Sequence, residues 1–350
     1  MSNPESIKRP LKIYLGIVAI TVLVLGLVFF RTVFLAAAVA IIGGVLLEPV
    51  IRWMRVRWRL PHGLSVGITA VLVFGGLAGM LYGGYRLIAG QVQRLAEQAP
   101  EIKERLLNRA EELMRQFPWL KSTGAELNLG EHAQGVFNGL LKVLAVGIEG
   151  AASALLVMML ALFIAANFRP YGRGFLTLFP VERRPRVSSL GWGSIGVVRK
   201  WFFGQVLVVT ITATLTGLAL LIIGMDYWLL IAAITLPLSF IPFVGAILTG
   251  IIAVVLTLGT DPDKVVWVLL AYFLIQQIEG DLILPIVMKG RVRMPEAHLL
   301  LFLLIMGTSM GIVGVFLATP LFAVLHYLYC QAYVPWVERR PATARDTPVG

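Results

Sequence analysis

Long apolar runs and short polar joints alternate along this chain, and the spacing matches the thickness of a bilayer. About 20 apolar residues make a helix that crosses the hydrocarbon core. The runs 11–30, 33–51, 64–88, 143–166, 202–223 and 265–288 are close to that length. Two others, 228–258 and 298–332, are too long for one span, and each carries a break. In 228–258 it is LPLSFIPFVG (236–245), where Pro237 and Pro242 each remove a backbone donor and bend or stop a helix. In 298–332 it is MGTSMG (306–311). The pattern predicts an all-α integral membrane protein of about eight membrane segments, two of them broken re-entrant hairpins.

Charge placement orders these segments. Cytoplasmic loops carry the excess of Lys and Arg. Lys8, Arg9 and Lys12 put the N-terminus inside. RWMRVRWR (52–59) and the loop 167–200 then fall inside as well, the latter with Glu182 as its one acid. The region 89–142 falls outside; seven basic and seven acidic residues leave it without inward bias. A single crossing by 228–258 would carry Lys289, Arg291 and Arg293 outside, against the rule. A hairpin entering and leaving from the outer face keeps them inside. The same argument makes 298–332 an inner hairpin and leaves the tail, with Arg339, Arg340 and Arg345, in the cytoplasm.

The expected organisation has five parts. Residues 1–88 form an N-terminal scaffold and 89–142 an extracytoplasmic helical region. Residues 143–200 hold the fourth segment and the basic loop, 201–332 a transport core, and 333–350 a cytoplasmic tail. A faint internal echo suggests that the core is an inverted repeat. MDYWLLIAAI (225–234) aligns with MPEAHLLLFL (294–303), and FVGAI (243–247) with IVGVF (312–316). Inverted repeats with broken helices build the midplane sites of many secondary transporters.

Two patterns concern packing. Val92, Leu95, Ala99, Ile102, Leu106, Ala110, Leu113 and Phe117 recur at three and four residues, a heptad-like seam. Pro100 is expected to split it into two helices. The seam reads either as a helix lying back on the membrane domain or as a subunit contact. Gly75, Gly79 and Gly83 form a small-residue ridge that lets helices approach closely, within one chain or between copies of a homo-oligomer.

Composition narrows the function classes. The chain is 58% hydrophobic and 14% charged; an ordinary soluble domain carries about 25% charge. The net charge of +11 sits in clusters between apolar runs, so it marks topology rather than nucleic-acid binding. Cys330 is the single cysteine, which rules out an intrachain disulfide, and no cysteine cluster suggests a metal. No cofactor is implied. No Walker A motif is present, so no ATP drive is written in this chain. GTSMG has the G-x-S-x-G form of a nucleophile elbow, but that motif needs a strand–turn–helix setting and here sits in an apolar helical run. The chain is not read as an enzyme.

The candidate chemistry lies in IQQIEGDLILP (275–285). Gln276, Gln277, Glu279 and Asp281 fall within six positions of an otherwise apolar segment. An ionised carboxylate near the bilayer centre costs about 2.5–3.5 kcal/mol on insertion scales. It persists where it faces protein, water or a counter-ion. Glu279 and Asp281 are therefore candidates for a proton, cation or polar-solute site, with interhelical hydrogen bonding as the structural alternative. Gly280 and Pro285 loosen the helix there. Gln205, Ser239, Thr308 and Ser309 supply further polar groups near the breaks. Pro237, Pro242, Gly245, Gly307, Gly311, Gly314 and Pro320 are the candidate hinge positions. Thr210, Thr212, Thr214 and Thr216 spread over two faces of segment 202–223, fitting a pathway lining or plain packing. Glu48 and Glu149, near segment ends, read as structural groups that snorkel to water.

RKWFFGQVLV, LPLSFIPFVGAILTGIIAVV, IQQIEGDLILPIVMKG and MPEAHLLLFLLIMGTSMGIVGVFLATPLFAVL together resemble the autoinducer-2 exporter family of bacterial membrane proteins. The resemblance covers roughly 195–330. It rests on Gly204-Gln205, on Ile241, Pro242 and Gly245, on Gln276, Glu279, Gly280 and Pro285, and on Gly311, Gly314, Ala318 and Pro320. One departure is MKG, which sets Gly290 five residues after Pro285 where the family usually has four. The resemblance implies a multi-pass transporter of the cytoplasmic membrane. Activities ascribed to the family are autoinducer-2 export and exchange of sodium or lithium for protons. The expected function is a secondary transporter of a small polar solute or monovalent cation, with Glu279 as the coupling carboxylate. An oligomeric ion channel, or a membrane scaffold without transport, are the alternatives.

Overall fold

The structure is a computed structural model that describes residues 30–116, 135, 151–287, 295–334 and 337. The first predicted segment, Glu149, Gly290 and the C-terminal tail lie outside the described residues. Among the described residues ten α-helices follow in order: α1 Arg31–Arg57, α2 His62–Gln116, α3 Ala151–Ala166, α4 Phe168–Thr177, α5 Arg184–Ile223, α6 Trp228–Leu238, α7 Val244–Thr260, α8 Val265–Ile278, α9 Leu284–Val287 and α10 Glu296–Leu328. A π-helical turn, Glu279–Ile283, joins α8 to α9. Among the described residues five helical stretches are long and apolar enough to cross a membrane, or six if the bent pair α3–α4 is one span.

Length alone overcounts here, because α10 is not straight. Gly311 has φ 67° and ψ −157° in its middle. The rings of Phe302 and Phe322 are 5.6 Å apart; in a continuous helix their 20-residue separation would span about 30 Å. The chain therefore reverses at Gly311 into two antiparallel arms. Leu299, Leu303 and Met306 on one arm pack with Ala318 on the other.

α6 and α7 make the same construction. Thr257 Oγ1 donates to Met225 Sδ at 3.6 Å, although 32 residues separate them. The reversal falls between Leu238 and Val244, inside the stretch that Pro237 and Pro242 mark. At 11 and 17 residues, these arms run about 16 and 25 Å, short of the roughly 30 Å hydrocarbon core.

α5 is the spine between the two hairpins. Its 40 residues reach about 60 Å. It stops at Gly224, whose φ of 77° supplies the left-handed cap; Gly224 N–H bonds Leu221 O and Met225 N–H bonds Leu220 O. α1 crosses α3 through Gly43 and Gly44. A Cβ on Gly44 would sit 2.6 Å from Ile164 Cγ2, so only glycine allows this approach.

α1 is bound to α5 by a buried cluster that corrects the expectation for Glu48. That carboxylate does not reach for water. It is 8% exposed, accepts from Arg199 Nη2 at 2.8 Å and lies 3.6 Å from Arg52 Nε. Pro49 has no N–H, which frees the carbonyl of Val45 four residues back. Arg199 Nε donates to that carbonyl at 2.8 Å. One guanidinium thus answers both the carboxylate and the gap in the helix ladder.

α2 brings a second correction: Pro100 does not split it. The helix runs 55 residues with Pro100 inside, about 82 Å, so the apolar segment and the polar stretch that follows it are one rod as far as Gln116. Packing offsets the lost hydrogen bond. Leu95 and Ile102 of the seam are buried against the start of α6 and the end of α7, in one core with Leu230, Ile231 and Leu256. Gln91 Oε1 accepts from Leu230 N–H at 2.7 Å, capping the start of α6, and Tyr227 Oη donates to Gln98 Oε1 at 2.7 Å. This part of the seam lies on the membrane domain.

Candidate functional site

The two hairpin tips meet beside the middle of α5. α5 turns Gln205, Thr212 and Thr216 inward, all buried, while Thr210 and Thr214 are exposed and donate to carbonyls of their own helix. Gln205 Nε2 donates to Ser239 O at 2.9 Å, holding the first carbonyl past α6. From that tip, Phe240 stacks on Phe202 of α5 at 6.2 Å and on Phe316 of the second hairpin at 5.4 Å. Ile241 joins the core of the second hairpin with Met306 and Ala318.

Both tips depend on tight backbone geometry. Phe243 has φ 64° and ψ −49°, and Val244 N–H bonds Pro242 O at 2.7 Å. That is a classic-sense γ-turn, a strained conformation for a bulky residue. At Gly245 a Cβ would run into the carbonyl oxygen of Leu238, so the reversal closes only over glycine. In the second tip a Cβ on Gly314 would meet Met310 Cβ at 2.6 Å. One on Gly307 would stand 3.0 Å from Val315 Cγ2.

Glu279 reaches α5 about two turns beyond Gln205. Thr212 Oγ1 donates to Glu279 Oε2 at 2.9 Å. Thr212 stands near the centre of the apolar stretch 202–223. Glu279 opens the π turn, in which Leu284 N–H bonds Glu279 O, five residues back. Pro285 follows directly and cannot donate; the wider turn adapts the ladder to it. π turns of this kind often mark functional positions. Among the described residues no cation pairs with Glu279, and its hydrogen-bond partner is neutral.

The other predicted residues are placed as follows. Gln276, Gln277 and Asp281 share the polar stretch but are exposed, with no hydrogen bond among the described residues. Thr308 donates to Leu304 O in its own helix, and Ser309 contributes only its carbonyl, to Arg31 at 3.4 Å. The structure therefore joins Gln205 to the Ser239 carbonyl and, about two turns further along α5, Thr212 to Glu279, and leaves the Thr308 and Ser309 hydroxyls outside both contacts. Gly280 borders open space, as do Gly75, Gly79 and Gly83. Pro320 is buried within the second arm of α10.

Three contributors were not legible as such. Phe240 and Phe316 read as ordinary apolar residues. Thr319 is 4% exposed and its hydroxyl has no partner among the described residues. It precedes Pro320, whose missing N–H frees the Phe316 carbonyl. Thr212 and Thr216 share one face of the helix and Thr210 and Thr214 another, and their equal four-residue spacing does not say which pair turns inward.

Residues 17–333 match the family described as AI-2E family transporter. YrrI of Bacillus subtilis (strain 168) is 25% identical over 313 residues, covering 84% of this chain and 85% of that protein. YueF of the same organism is 24% identical over 311 residues, covering 85% and 84%. The AI-2 transport protein TqsA of Escherichia coli (strain K12) is 22% identical over 330 residues, covering 92% of each.

Proposed function

Since the chain belongs to the AI-2E transporter family, we propose that it is a secondary transporter in which Glu279 couples the movement of a small polar solute, or of a monovalent cation, to that of protons. The observation that carries this reading is the Thr212–Glu279 hydrogen bond of 2.9 Å between α5 and the π turn. A carboxylate there costs about 2.5–3.5 kcal/mol to keep ionised, and one neutral hydroxyl offsets only part of that. A group so placed changes protonation as access alternates. The name of TqsA makes autoinducer-2 one candidate solute.

Several finer features belong to the same reading. The two hairpins enter the bilayer from opposite faces and meet at the midplane as an inverted repeat; the short arms and the Phe240–Phe316 contact support this. Both termini are cytoplasmic, in a bacterial cytoplasmic membrane. Gln205 keeps the first tip closed on α5, and Asp281, Gln276 and Gln277 face the solute route. The open glycine ridge on α2 serves contact between copies of the chain.

The test uses purified protein in sealed liposomes with an imposed pH gradient and an internal pH dye. Sodium, lithium and autoinducer-2 are added in turn. Collapse of the gradient on addition of one of them is the expected outcome. Folded protein that leaves the gradient intact with all three would remove proton-coupled transport of these solutes.

A further inference from the structure

α4 is a ten-residue helix, FRPYGRGFLT, with a sharply divided surface. Phe168, Tyr171 and Phe175 recur at three and four residues and form one stripe. Arg169 and Arg173 stand on the opposite side, also four apart. None of its residues is buried; Tyr171 and Phe175 are 58% and 56% exposed. It meets α1, α3 and α5 along part of its surface, with the Phe168 ring 6.0 Å from that of Trp192 of α5. Among the described residues Arg169 and Arg173 have no acidic partner and no hydrogen bond.

The direction of α4 says what covers that stripe. It leaves α3 at Asn167 with a bend of 77°. α3 is apolar throughout, as a crossing helix is; with α3 along the membrane normal, the bend puts α4 close to the membrane plane, at the level where the hydrocarbon ends. A helix with aromatics on one face and arginines on the other, held in that plane, has the form of an interfacial helix. The surrounding loop is basic as well, with Arg183, Arg184 and Arg186 against Glu182.

We propose that α4 is an interfacial anchor: its aromatic face inserts into the headgroup–acyl boundary, and Arg169 and Arg173 bind the phosphates of anionic phospholipids in the same leaflet. The inference rests on the membrane-spanning fold and not on any transported solute. Through the α4–α5 contact it ties the base of the spine helix to the lipid composition.

The test is a depth measurement on the full chain with Cys330→Ser. Spin labels are placed singly at Gly172→Cys, beside the aromatic stripe in open space, and at Thr177→Cys, on the polar side. Each protein is reconstituted in vesicles of phosphatidylcholine alone and of phosphatidylcholine with phosphatidylglycerol. The expected result is that oxygen relaxes the label at 172 while a water-soluble nickel chelate relaxes the label at 177. Phosphatidylglycerol drives the label at 172 deeper, and Arg169→Gln with Arg173→Gln abolishes that response. The docking constant is expected to fall about fivefold per arginine removed, the equivalent of about 1 kcal/mol for a basic residue at an anionic surface. Three results would overturn the proposal. Nickel access at both positions would show a helix in water. Access by neither reagent at 172 would show a protein partner on the stripe. A depth at 172 that ignores phosphatidylglycerol and both arginines would remove the headgroup contact.

Discussion

Glu279 differs from the other polar residues of its segment by one contact, the hydroxyl of Thr212. Removing that contact isolates its role. Thr212→Val keeps shape and burial but leaves the carboxylate without its described donor. A hydrogen bond to a charged group is worth about 1.5–3 kcal/mol, so a roughly tenfold or larger loss of coupled transport rate is expected, with protein content in the membrane preserved. Wild-type rates in Thr212→Val would show the bond to be incidental. The glycines give a paired prediction. Gly245→Ala places a methyl against the Leu238 carbonyl, an overpacking that costs about 1–3 kcal/mol. Gly75→Ala borders open space and leaves the thermal stability of the dispersed monomer unchanged. If the ridge joins subunits, the same substitution lowers the oligomer fraction on size-exclusion chromatography.

At the scale of elements, the two hairpins and the long rod were unequally legible. Apolar length, the positive-inside bias and the positions of Pro237 and Pro242 were enough to predict the first reversal, because two missing donors so close together cannot be absorbed in one helix. The reversal at Gly311 was readable only as a region, since MGTSMG offers several glycine and hydroxyl positions and helical φ/ψ suits all but one. α2 escaped the same logic: Pro100 was read as a break, yet Leu95 and Ile102 bury enough surface on α6 and α7 to keep the rod whole. The π turn was invisible, for a one-residue widening has no compositional mark beyond Pro285. Arg199 and Glu48 were each visible as charges, but their pairing across 151 residues was not. That pair makes a sharp prediction. Arg199→Gln leaves Glu48 buried beside only the more distant Arg52, and loss of one partner of a buried pair costs about 3–5 kcal/mol. Replacing both, with Glu48→Gln, is expected to cost clearly less than the sum of the single losses when unfolding is followed in detergent. Additive losses would show that the two side chains act independently.

For the whole molecule, the buried pair and α5 define a frame. α1 and α3 close on each other through Gly43 and Gly44, Arg199 fastens α5 to α1, and the two hairpins converge on the free face of α5 with Glu279 between helices. In the proposed function this carboxylate couples proton movement to solute movement, and Glu279→Gln removes the titrating group while keeping its shape. Wild-type and variant proteins are compared in the same liposomes for two fluxes of the solute that collapses the gradient. One is net transport driven by a pH gradient; the other is exchange of labelled for unlabelled solute at equal pH. Glu279→Gln is expected to lose the driven flux and to retain exchange. Driven flux at the wild-type rate in the variant would contradict it and place the proton path elsewhere.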